Sequence, residues 1–165
     1  VELPAGERIH FVAQKPFLPR GTLRDAVCYP PRERHFDDTA IAEVFKRVDL
    51  SPLTPRLDQV DIWDQALSVG EQQRLSFARL LLHRPNWIIL LDATDALEPA
   101  CEHALMRLLQ DEFADAAVIT MGHHRHLEEY HTLSYVLARK EDDIYALEPE
   151  KRLRRETVGA LKWQK

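Results

Sequence analysis

Leu67-Ser68-Val69-Gly70-Glu71-Gln72-Gln73-Arg74 stands a short way upstream of Trp87-Ile88-Ile89-Leu90-Leu91-Asp92. The first run reads as a Gly-containing turn that opens a helix. Such an N-terminus presents unpaired backbone N–H groups and the positive end of the helix dipole, a setting suited to an anion such as a phosphate. The second run reads as a buried strand ending in a carboxylate. At the C-terminal end of a strand that group suits a hard cation carried by a phosphate. Ser68 and Glu71 also have the spacing of a capping box, so the helix start has an ordinary structural reading too.

Downstream of the turn, residues 71–83 carry a helical pattern, with Leu75, Ala78, Arg79 and Leu82 at spacings of three and four and Pro85 beyond the end. Upstream, residues 8–13 have strand character and lead to Gln14; Pro16, Pro19 and Gly21 then enforce a loop. Thr22 is placed to cap a short helix through Ala26, which Pro30 and Pro31 interrupt. Asp37 and Asp38 can cap the next helix, whose apolar stripe is Ile41, Val44, Phe45 and Val48. Residues 51–65 show no clear period. Beyond the Asp92 strand, residues 99–113 predict a helix that turns Ala104, Leu105, Leu108 and Leu109 inward. A second buried strand follows at 116–121, then Gly122 and His123. A short helix at 126–130, a strand at 133–138 and a hairpin partner at 144–147 complete the pattern. Strand–helix–strand alternation over 87–137 implies a parallel sheet covered by helices. The helix-rich stretch 22–83 implies an all-helical insertion beside it.

Composition narrows the function classes. The chain has 165 residues, enough for one domain with a real core, and its 45% hydrophobic and 30% charged content is ordinary for a globular protein. A net charge of -5 speaks against a dedicated nucleic-acid surface. The longest apolar run, at 87–91, is far too short to cross a bilayer. Cys28 and Cys101 are isolated, which fits a reducing compartment. Residues 151–165 hold six basic residues and one acidic, and read as a solvated terminal helix. The chain opens on Val1 rather than Met, as expected for part of a longer polypeptide. Its glycines are Gly6, Gly21, Gly70, Gly122 and Gly159, from which no G-x-x-x-x-G-K-[ST] phosphate loop can be drawn.

The run from Leu67 through Arg79 and the strand ending at Asp92 resemble the signature sequence and Walker B strand of ATP-binding-cassette (ABC) ATPases. Gln14, ahead of Lys15-Pro16-Phe17-Leu18-Pro19-Arg20-Gly21-Thr22-Leu23-Arg24-Asp25-Ala26, resembles the Q-loop of ABC exporters. His123 resembles the switch histidine. The resemblance covers roughly residues 4–147. It implies an α/β, P-loop NTPase-like (RecA-like) parallel sheet with helices, plus the ABC helical subdomain, with the N-terminal part of the domain missing. Residues 22–83 would form the helical subdomain and signature helix. Residues 1–21 and 84–150 would belong to the RecA-like core, and 151–165 would be a basic tail. Trp63, read from its environment as a packing residue, together with the string that follows it and Tyr29-Pro30, is similar to one exporter branch. These are bacterial fused permease–ATPases related to the peroxisomal fatty-acyl transporters, often named as vitamin B12, bleomycin or peptide transport systems.

The same resemblance implies roles. Gln14 would sense metal and γ-phosphate. Ser68, Gly70 and Gln72 would contact a nucleotide held by a second ATP-binding domain in a head-to-tail dimer. Asp92 would orient Mg²⁺ through water, and His123 would hold the γ-phosphate and the attacking water. ATP and Mg²⁺ are the implied cofactors. The implied partners are the second domain and a transmembrane domain, with no nucleic acid, at the cytoplasmic face of a bacterial inner membrane. One departure stands out: the glutamate expected after Asp92 is absent. Asp92-Ala93-Thr94-Asp95-Ala96-Leu97-Glu98 is one residue shorter than the family run, and Glu98 stands where its terminal aspartate would be. A non-hydrolysing regulatory module is therefore a second reading, and a soluble ABC ATPase a third, which the exporter-like Gln14 segment opposes. His123, His124, His126 and His131 invite a metal-site reading, but their spacing supplies no convergent ligand set.

Overall fold

A computed structural model describes residues 7–31, 35–139 and 145–152. The chain forms two compact units, Val1–Gly122 and His123–Lys165. In the first unit, strand β1 (Ile9–Ala13) leads through the proline-rich loop to the two-residue strand β2 (Gly21–Thr22). Helix α1 (Leu23–Cys28) starts on a capping box between Thr22 and Asp25 and runs two residues further than the sequence pattern suggests. Thr22's hydroxyl and backbone N–H hold the Asp25 carboxyl below its usual range. Helix α2 (Asp38–Arg47) is capped by the Asp37 side chain, which accepts from the Ala40 N–H. Its expected stripe, Ile41, Val44, Phe45 and Val48, is buried.

Residues 51–65 are more ordered than their pattern implies. A 3₁₀ helix (Ser51–Arg56), strand β3 (Val60–Asp61) and helix α3 (Trp63–Ala66) occupy them. Strands β2 and β3 pair antiparallel, Gly21 against Asp61 and Thr22 against Val60, so the insertion is not all-helical. Trp63 is buried as expected, its indole N–H donating to the Gly21 carbonyl at 3.1 Å and the Arg56 guanidinium lying over its ring.

Helix α4 (Val69–His83) is buried on nearly all sides because it packs against α1, α2 and β1 together. It closes the C-terminal end of α1 with its own side chains: Arg79 Nε and Nη2 donate to the Ala26 carbonyl at 2.8 and 2.6 Å, and His83 Nε2 lies 3.0 Å from the Cys28 carbonyl. After Arg84 in the left-handed region (φ 47°) comes strand β4 (Trp87–Leu91), then helix α5 (Pro99–Glu112) and strand β5 (Ala117–Met121). On α5 the buried apolar residues are Leu105, Met106 and Leu109. Ala104 is exposed and Leu108 half-buried, because the inward face is centred one residue from the one expected.

Strands β1, β4 and β5 form a parallel sheet in the order β1-β4-β5, with Phe11 beside Ile89 and Ile89 beside Ile119. The face bearing His10, Val12, Ile88 and Leu90 is buried. The opposite face leaves Phe11 68%, Leu91 47% and Met121 47% exposed. Parallel sheets are normally covered on both sides. In the second unit a 3₁₀ turn (Arg125–Tyr130) precedes β6 (Leu133–Arg139), which pairs antiparallel with β7 (Tyr145–Arg152). The strand expected at 133–138 thus pairs in the hairpin expected of it, and the three-stranded parallel sheet is made by β1, β4 and β5. The hairpin partner extends through residues 151 and 152, which corrects the reading of that stretch as helix; the rest of the basic tail lies outside the described residues.

Candidate functional site

The sheet register sets the site. Ala13 pairs with Leu91 and Leu91 with Met121, so Gln14, Asp92 and Gly122 follow side by side at the carboxyl edge of the sheet. In open α/β sheets that edge is where ligands bind. Asp92 has φ 44°, in the left-handed region that few residues other than glycine enter, Asp among the more tolerant, and one that concentrates at functional positions. A Cβ on Gly122 would come 3.4 Å from Asp92 Oδ1, so the carboxylate rests against glycine backbone. Ala93, where the glutamate would stand, is only 3% exposed and faces the interior.

The N-terminus of α4 meets this edge. Ser68 caps it with extended backbone, and its hydroxyl donates to Glu71 Oε2 at 2.7 Å while accepting from the Glu71 N–H at 3.3 Å. The reciprocal bond from the Ser68 N–H to Glu71 Oε2 is 2.8 Å, so the capping box is complete. Burial alone would raise the Glu71 carboxyl. The Ser68 donors, helped by the charges of Arg74 and Arg56, outweigh burial and hold it below the usual range. Gly70 allows a close approach: a Cβ there would lie 3.1 Å from the Ala96 carbonyl oxygen, a tight contact.

Neighbouring glutamines on α4 do different work. Gln72 is 3% exposed, and its Nε2 donates to the Asp64 and Leu67 carbonyls at 3.0 and 2.9 Å. Through these two bonds Gln72 holds the loop before the helix. A signal for this was present, since Gln72 precedes Leu75 by three and Arg79 by seven, which is the inward spacing. Gln73 is wholly buried. Its Nε2 donates to the Gln14 carbonyl and its Oε1 accepts from the Ala96 N–H, both at 3.1 Å. The exposed Gln14 side chain donates to Asp95 Oδ2 at 3.1 Å. Gln73 and Asp95 were not among the residues the sequence pointed to. Nothing periodic marks them, because their partners are 59, 23 and 81 residues away along the chain.

Gln14, Lys15, Asp64, Ser68, Gln72 and Asp95 line one cleft of about 480 Å³. The structure therefore brings Gln14, Ser68 and the Gly70 turn together, with Asp92 at the adjoining strand end. His123 belongs to the second unit, where its ring lies 4.1 Å from that of His124. The donor set suits the groups the resemblance implies. Asp92 and the Gln14 amide offer oxygen ligands appropriate to Mg²⁺. The N–H groups of Val69 and Gly70 precede the first intrahelical bond, made by Gln72 to the Ser68 carbonyl, and suit a phosphate.

Comparison with known proteins agrees. The profile of the ABC transporter family matches residues 3–95. An ABC transporter ATP-binding protein of Haemophilus influenzae is 36% identical over 130 residues, covering 79% of this chain and 22% of that protein. The lysosomal cobalamin transporter of Homo sapiens is 38% identical over 133 residues, covering 74% of this chain and 22% of that protein. The inner membrane ABC transporter ATP-binding protein YddA of Escherichia coli is 35% identical over 113 residues, with 68% and 20% covered. Thus the chain spans about a fifth of the length of these relatives. The structure of a bacterial Atm1-family ABC exporter with ATP bound superposes with a TM-score of 0.66 at 19% identity, over 76% of this chain and 23% of that one, and shows a shared fold. On the family profile, the relatives and the fold together, this chain belongs to the ABC transporter family as part of an ATP-binding domain.

Proposed function

We propose that this chain is the C-terminal part of the ATP-binding domain of an ABC exporter whose nucleotide sites are shared between two such domains. The observation that carries the reading is the alignment of Gln14 and Asp92 at the sheet edge with the Ser68–Gly70 helix start beside them. Ser68 and the amides of Val69 and Gly70 would bind the terminal phosphate of a nucleotide held by the opposing domain. For this the Ser68 hydroxyl turns from Glu71 toward the phosphate. Asp92 and Gln14 would hold Mg²⁺, which when bound supplies neutralisation of phosphate charge. Gln72 keeps the signature loop in place from behind, and His123 contacts the γ-phosphate.

The exposed apolar sheet face supports the partial-domain reading, since the rest of the domain would cover it. Upstream sequence would supply the phosphate loop and a membrane domain. Among the described residues no helix is long and apolar enough to cross a membrane. In this reading a transmembrane domain of the same transporter would hold the chain at the cytoplasmic face of a bacterial inner membrane.

Ala93 favours a second form of the same reading, in which ATP closes the dimer but hydrolysis is very slow. A water-orienting carboxylate commonly contributes ~10²–10⁴-fold to rate. Inserting a glutamate between Asp92 and Ala93 in the complete transporter should raise ATP hydrolysis by about that factor. Vigorous hydrolysis by the unaltered transporter would refute the slow form. Failure of the complete transporter to bind ATP would refute the ATP-binding proposal itself. For the 165-residue chain alone, calorimetry should show ATP binding weaker than micromolar, because no phosphate loop is present in it.

A further inference from the structure

Two links join the loop after β1 to the loop after β4. One is exposed, from the Gln14 side chain to Asp95. The other is buried and runs through Gln73, whose amide joins the Gln14 carbonyl to the Ala96 N–H. One partner is an acceptor and the other a donor, so the Gln73 amide has a single satisfying orientation. The Ala96 carbonyl also lies close over Gly70, where a Cβ would meet it at 3.1 Å. Two loops thus converge on one side chain that solvent does not reach.

We infer that Gln73 is a positioning residue: it fixes the Gln14 and Ala96 backbones to the signature helix, so that the Gln14 side chain, and not its loop, is the part that changes partners. The inference rests on the role proposed above for Gln14. Buried amide groups whose partners are removed lose the compensation that made burial tolerable, so both loops loosen together when Gln73 is lost.

The test uses nitrogen-15-labelled chain. In Gln73→Leu the Ala96 amide should exchange with solvent roughly tenfold faster, and the Gln14 side-chain amide resonance should move. Leu80→Ala, a cavity on the same helix, destabilises the fold and should leave both signals at their wild-type positions. Gln73→Glu supplies a sharper reading. As a carboxylate it faces the Gln14 carbonyl with no proton to donate, whereas as the neutral acid it regains one donor and one acceptor. Its Ala96 exchange should be fast at neutral pH and return toward wild type as pH falls through the carboxyl titration. The wild type serves as the blank for Asp92 and Asp95 on the neighbouring loop. Equal effects from Leu80→Ala, or no pH-dependent recovery in Gln73→Glu, would overturn the inference. None of these readings needs nucleotide, so failure of the complete transporter to bind ATP would overturn the function while leaving the Gln73 result standing.

Discussion

Arg79 shows what a single residue can hold. It is 4% exposed, and burial pushes its pKa down to about 10 although Tyr29 and Cys28 oppose that. Its contacts are the Ala26 carbonyl and the face of the Tyr29 ring, so it serves as a fork-shaped cap on α1. Arg79→Met should lower stability by about 1–3 kcal/mol in urea unfolding, because the Ala26 carbonyl is left unpaired. Arg79→Lys should recover little of it, since an ammonium cannot reproduce the planar fork. Ser68→Ala should cost ~1 kcal/mol at neutral pH. Glu71 has a folded-state pKa below its unfolded value, so its share of the capping energy is present above the unfolded value and disappears as pH falls through the folded one. The difference between Ser68→Ala and wild type should therefore shrink in acid. At this scale the sequence was legible where chemistry repeats locally, as with Ser68 and Glu71. It was not legible at Gln73, whose meaning comes from two loops that only the fold brings near.

Helix ends meet at Glu112, the last residue of α5. Its carboxylate pairs with Arg47 at the end of α2 and with Arg84 just past α4, the latter at 2.6 Å. Arg47 first, and then Arg84, hold the Glu112 carboxyl below its usual range. A carboxylate at a helix C-terminus opposes the dipole, and the two guanidiniums reverse that sign. Glu112→Gln should cost about 0.5–1 kcal/mol by thermal unfolding at neutral pH. The same sign rule applies as at Glu71: this contribution is present above the unfolded carboxyl value and lost as pH falls through the depressed one. Long elements such as α4 and β4 were legible from period and capping. The paired strands β2 and β3 were not, since two residues carry no period and their pairing depends on a partner some forty positions away. Leu108 and Ala104 show a second limit, because a rotation of one position on α5 separates the expected inward face from the observed one.

Across the molecule, the parallel sheet has one face covered and one presenting Phe11, Leu91, Ile119 and Met121. Contiguous apolar surface of this sort drives association. The chain alone should self-associate in sedimentation experiments, and Phe11→Lys should reduce this without a comparable loss of folding stability. Retained association in that variant would place the contact elsewhere. The sheet edge holding Gln14 and Asp92 could be expected from the motifs, because strand ends in such folds line up by topology. The bond from Gln14 to Asp95 could not, and it has a consequence for affinity. Any ligand that draws the Gln14 side chain away from Asp95 competes with a partner supplied by the same chain. A net contribution of ~1 kcal/mol for that bond lowers apparent affinity about fivefold. Asp95→Ala in the complete transporter should accordingly tighten Mg²⁺–ATP binding by about that factor, so that this carboxylate sets how much nucleotide is needed before the site responds.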